Sequence, residues 1–256
     1  MPLSGALKTL LLRGLLAGLI AGLLAGTVGF LIGEPKVEAA IAIEEAQAAQ
    51  SHDGEAAGGH SHGDEEEALV SRTGQKFGQF LALGLAGMAL GAIYATVANV
   101  ARRHTDLTGP RLALSLAVGG WLAIVAVPFF KYPANPPAVG DPETIDDRTW
   151  LWVAVVLLGF AAVGIAVYVY KLLRGQLETV RLIGSVAAFV AIVGIGYIAL
   201  PGVNEVADDF PASLLWEFRV ASLAVTTTLW VALGLAFAAL TEYAGRGAPQ
   251  PAEVAR

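Results

Sequence analysis

Residues 14–32 read GLLAGLIAGLLAGTVGFLI, nineteen positions without a charge or a histidine. A bilayer core about 30 Å thick takes roughly 20 apolar residues of helix to cross. Within the stretch Gly14, Gly18, Gly22 and Gly26 recur at every fourth position. On a helix they share one stripe, where a neighbouring backbone can approach closely. Gly84, Gly87 and Gly91 mark a second place of close contact.

Five more runs have the same character: Phe80–Val100, Leu112–Phe130, Trp150–Tyr170, Leu182–Leu200 and Val220–Leu240, again without Asp, Glu, Lys, Arg or His. One such run fits a buried helix of a soluble protein; six in one chain do not. Composition agrees. Of 256 residues 55% are hydrophobic and 15% charged, where soluble domains carry roughly 25% charged residues. The fold expected is an all-α integral membrane protein, a bundle of about six transmembrane helices. The absence of cysteine excludes disulfides, thiolate sites and iron–sulfur clusters. A net charge of −6 argues against nucleic acid as a partner.

The charges between the runs set an orientation. With the N-terminus inside, ten of the sixteen basic residues fall in inner segments and eighteen of the twenty-two acids in outer ones. The excess of Lys and Arg in short loops near helix ends marks the cytoplasmic side, so both termini are expected in the cytoplasm. The first apolar run, at nineteen residues, exceeds the roughly 7–15 of a signal peptide and is read as a retained helix. Residues 1–256 then form a single membrane domain with a long acidic outer loop, residues 33–76, and a short cytoplasmic tail, residues 244–256. Aromatic residues near the run ends, among them Phe129, Tyr132, Trp150, Trp152 and Trp216 outside and Tyr168 and Tyr243 inside, fit interfacial belts.

Two groups of residues carry chemistry. The outer loop holds three of the four histidines, His52, His60 and His62, the last two beside Asp64. Imidazole and carboxylate together suit divalent transition ions, and the bland alternative is a solvated acidic linker. Residues 35–46 have helical spacing, whereas residues 51–67 lack bulky apolar side chains and are expected to be mobile without a ligand. The second group lies at three outward exits: Gly33-Glu34-Pro35, the stretch from Pro128 to Pro137, and Leu200 to Glu205. Proline and glycine end helices there. Non-helical backbone at membrane depth also exposes carbonyls that line ion sites in transporters. Asn135, Asn204 and Glu205 add side-chain oxygens. Glu217 and Arg219 read as interfacial anchors, Thr226, Thr227 and Thr228 as hydroxyls able to bond a backbone carbonyl or line a polar path, and His104 as a surface residue. No phosphate-binding loop, zinc-protease helix, nucleophile elbow or dinucleotide fingerprint is present, and no histidine lies in the apolar runs to ligate haem. An enzyme is not expected.

Residues 130–140, FKYPANPPAVG, resemble a hallmark stretch of the CbtA family, the probable cobalt transporter subunits, and residues 200–211, LPGVNEVADDFP, look like a second. The resemblance covers nearly the whole chain. It implies a permease subunit for divalent transition-metal uptake, with Co²⁺ for cobalamin synthesis as the expected cargo and Ni²⁺ or Zn²⁺ as chemically similar cargo. It implies no tightly bound cofactor, residence in the plasma membrane of a prokaryote, and a small single-helix CbtB-like partner. A non-transporting assembly or regulatory subunit is the alternative.

Overall fold

The computed structural model describes residues 3, 5–52, 71–137 and 139–246. Among them no strand occurs, and the chain runs through α1 (Leu7–Val28), α2 (Glu34–His52), α3 (Arg72–Ala101), α4 (Gly109–Trp121), α5 (Val127–Lys131), α6 (Ile145–Leu172), α7 (Glu178–Ala199) and α8 (Ala212–Arg246). Six spans among the described residues are long and apolar enough to cross a membrane: Leu7–Gln47, Arg72–Ala101, Gly109–Lys131, Ile145–Leu172, Glu178–Ala199 and Ala212–Tyr243. Each apolar run lies in one of them, with Leu200 alone falling just past α7.

Two helices widen in mid-course. A π turn over Gly29–Gly33 joins α1 to α2, and another over Leu122–Ala126 joins α4 to α5. Each stops two residues before a proline, Pro35 and Pro128. A proline inside a helix offers no N–H and its ring presses on the carbonyl four residues back. The wider turn relieves that clash and lets the helix continue. Gly33-Glu34-Pro35, expected to end the first helix, is therefore a bulge inside a continuous one. The other two expected exits are real breaks: Tyr132 leaves helical geometry after α5, and Leu200 is extended after α7.

The chain groups into two compact units. The first comprises residues 1–27, 79–119 and 227–256. Its core joins the two glycine sets, expected from the sequence as separate places of contact, into one. A methyl placed on Gly14 or Gly18 would overlap the carbonyl of Gly91 or Gly87, and one placed on Gly87 or Gly91 would overlap the carbonyl of Gly18 or Gly14. The backbones of α1 and α3 thus touch along the stripe. On α8, Gly234 lies against Ala117. Phe237, fully buried, meets the Tyr94 ring edge-on at 5.3 Å. Tyr94 donates its hydroxyl to the Ala113 carbonyl. Buried Thr241 returns its hydroxyl to Phe237 O at 2.8 Å. Arg102 donates to the carbonyls of Leu3 (3.1 Å) and Gly5 (3.0 Å) and to Asn99 Oδ1 (2.7 Å), holding the segment before α1.

The second unit comprises residues 28–78 and 120–226. Here α6 and α7 form an antiparallel hairpin. Arg181 stacks over the Tyr170 ring at 4.0 Å, Ser185 donates to Ala166 O at 2.8 Å, and Gly196 receives the Leu158 side chain. Gly159 of α6 sits against the Ala123 carbonyl in the π turn. No residue of α7 is buried, and Ile183, Val186, Val190 and Ile198 face outward, as a lipid-facing helix requires. Arg72 pairs with Glu34 (2.5 Å), Lys76 with Glu34 (3.8 Å) and Glu38, and Lys36 with Glu217. These ion pairs tie α2 to the starts of α3 and α8.

Candidate functional site

Within the second unit the two broken exits face one cleft. The segment 132–135 after α5 and the segment 203–206 after α7 line it together with the first turns of α6 and with Leu215 and Arg219 of α8. Its volume is about 770 Å³. Lys131 and Tyr132 explain why the two segments meet. Lys131 Nζ donates to Tyr197 O (3.0 Å) and Leu200 O (2.8 Å), the end carbonyls of α7. A cation is favoured at a helix C-terminus, where unpaired carbonyls gather negative potential. Tyr132 donates its hydroxyl to Pro201 O at 2.7 Å, and burial pushes its phenol pKa above the ordinary value, which keeps it a donor. Tyr197 donates to Val127 O.

The sequence-expected oxygens at the exits, Asn135, Asn204 and Glu205, all line this cleft. None stands alone. Glu205 accepts from Arg148 Nη1 at 2.7 Å, from the Thr144 hydroxyl at 2.5 Å and from the Asp141 amide at 3.2 Å. Charge-assisted bonds of this kind are roughly twice as strong as neutral ones. Asn135 Oδ1 accepts from Arg219 Nη2 at 2.8 Å, while Arg219 Nε donates to Ala134 O at 3.3 Å. Asn204, exposed, accepts weakly from the Val206 amide at 3.5 Å. Gly140 sits at φ +126°, a conformation that side chains rarely adopt, and a methyl there would meet Arg148 and Glu205. The glycine lets the backbone press against the ion pair.

Arg219 belongs to this polar cluster in addition to any role as an anchor. Arg148, Thr144 and Tyr132 are site residues that reading the exits did not single out. Their signal was faint. The basic residues in the segments expected from the charge count to face outward are Lys36, Arg72, Lys76, Lys131, Arg148 and Arg219, and each binds an oxygen described above.

The loop histidines stand differently. His52 is the last residue of α2, with its side chain outside the description. His60, His62 and Asp64 lie outside the described residues. Among the described residues no group of three or more His, Cys, Asp or Glu is placed to hold a metal ion. His104 is exposed. Thr226 donates to Ser222 O at 2.9 Å, satisfying its hydroxyl within α8.

Six membrane-length helices among the described residues, two interrupted exits and a polar cleft between them define a multi-pass helical membrane protein. Residues 7–242 match the CbtA family, described as a probable cobalt transporter subunit. The chain belongs to that family. No curated protein and no solved structure matched it.

Proposed function

We propose that this protein is the permease subunit of a divalent transition-metal uptake system, with Co²⁺ for cobalamin synthesis as its cargo. One observation carries the reading beyond family membership. Asn135, Asn204 and Glu205, drawn from two separate helix breaks, share one cleft. Oxygen donors from side chains and freed backbone beside a helix break are the usual material of an ion pathway. In this reading both termini are cytoplasmic, in the plasma membrane of a prokaryote, and the cleft opens outward. The acidic segment of residues 33–76, which holds α2, gathers the ion with His52, His60, His62 and Asp64. A small CbtB-like helix is a partner.

Uptake of this kind needs no nucleotide. An inside-negative potential supplies roughly 2.3 kcal/mol per charge per 100 mV. A divalent ion gains about twice that, enough for over a thousandfold accumulation. Radiolabelled Co²⁺ uptake into proteoliposomes under an imposed potential tests the proposal. Uptake above empty liposomes, competed by unlabelled Co²⁺, is the expected result. Uptake only after a small partner helix is added makes the chain half of a transporter. No uptake in either case favours a non-transporting assembly subunit.

A further inference from the structure

The cleft is built for more than a bare ion. Its volume, about 770 Å³, lies within the roughly 300–1,000 Å³ range of small-molecule pockets. Trp152, Leu151 and Leu215 give it apolar walls. Its charged side chains are Arg148, Arg219 and Glu205, two cations against one carboxylate.

The two signs are also unequally spent. Glu205 already receives three donors. A guanidinium carries five N–H groups in a planar fork. Arg219 directs one from Nε to Ala134 O and one from Nη2 to Asn135 Oδ1. Arg148 directs Nη1 to Glu205. Spare donors on two arginines suit an oxyanion held through paired N–H···O bonds. Those three side chains sum to one positive charge, and among the described residues no group of three or more His, Cys, Asp or Glu is placed to hold a free dication.

Resting on the permease reading, we propose that the cleft takes the metal as its complex with a small polycarboxylate. The guanidiniums of Arg148 and Arg219 bind carboxylates of the chelator, Trp152 and its apolar neighbours pack on the carbon skeleton, and the amide oxygens of Asn135 and Asn204 serve the metal. The complex carries less positive charge than the aquo ion, which suits a cleft with two guanidiniums and lessens the driving force that an inside-negative potential gives the bare dication. The substrate class is a metal–carboxylate chelate.

Citrate is the probe. Purified full-length protein in neutral-lipid nanodiscs is dialysed against ⁵⁷Co²⁺ and ¹⁴C-citrate, with free Co²⁺ held constant. The expected result is that both labels bind together at one to one, at least tenfold more tightly than Co²⁺ alone. Arg219→Gln should weaken this co-binding at least tenfold while the protein elutes as the wild type does in size exclusion. The isotope ratio on the unmodified protein decides the question even if that variant fails to fold. Cobalt binding that is indifferent to citrate at constant free Co²⁺ overturns the proposal. So does citrate binding only without the metal. Loss of co-binding in nanodiscs containing phosphatidylglycerol, where that lipid is retained by the wild type and not by Arg219→Gln, also overturns it and assigns the arginines to a lipid phosphate. Failure of the permease reading is distinguishable, because co-binding would then persist while proteoliposomes took up neither form of cobalt.

Discussion

Gly18 and Gly194 look alike in the sequence, each a glycine within an apolar helix. Their surroundings differ. A methyl on Gly18 overlaps the Gly87 carbonyl, whereas nothing lies within 4 Å of one built on Gly194. Overpacking a tight interface costs about 1–3 kcal/mol, because two backbones must part. A helical glycine in open space instead gains roughly 0.5–1 kcal/mol on becoming alanine. Gly18→Ala should therefore lower the unfolding midpoint in detergent, and Gly194→Ala should leave it unchanged or raise it. Equal effects of the two substitutions would contradict the backbone contact between α1 and α3. Gly140 is constrained for another reason, a positive φ joined to the press of Arg148 and Glu205. Without neighbours, sequence patterning separates the packed stripe from the open glycines only through its repeat of four.

At the scale of elements, the two prolines divide the helices in unlike ways. Pro35 and Pro128 each follow a π turn, yet α2 continues for many residues after the first while α5 ends shortly after the second. The difference lies downstream. Lys36, Glu34 and Glu38 find ion-pair partners on α3 and α8 that hold α2, whereas Tyr132 and the prolines after it cannot extend α5. Pro128→Ala supplies an amide proton and removes the ring clash, so residues 122–126 should return to α-helical register. Hydrogen exchange should then show a newly protected amide at position 128 and changed protection across the turn. Because Lys131 rotates with α5, its bonds to the end of α7 should be lost and Co²⁺ uptake should fall. The residues between α2 and α3 carry a separate prediction. Deleting residues 53–67 should raise the Co²⁺ concentration for half-maximal uptake several-fold and leave the maximal rate little changed. Unaltered uptake at limiting cobalt would refute ion gathering by those residues.

For the whole molecule, orientation is the property that a charge count addresses and helix packing leaves open. The chain has no cysteine, so single cysteines report topology cleanly. Asp209 and His104 are both exposed. Asp209→Cys should react with a membrane-impermeant maleimide on intact cells, and His104→Cys only after permeabilisation. The reverse pattern would invert the proposed topology and turn the cleft to the cytoplasm.

Much of this protein is legible residue by residue because the bilayer imposes local rules. A helix must satisfy its own backbone and present apolar side chains over a fixed length, so six spans and the glycine stripe follow from short-range pattern alone. Asn135, Asn204 and Glu205 stood out for the same local reason, as oxygen-bearing residues at broken helix ends. What tertiary structure alone decided is who meets whom. The continuity of the first helix through Pro35 depends on a π turn and on ion pairs to distant segments. The cleft depends on Lys131 and Tyr132 gripping the end of α7, and its charge depends on Arg148 and Arg219 arriving from other helices. Such pairings are set by packing between elements far apart in the chain, and neither hydropathy nor charge spacing records them.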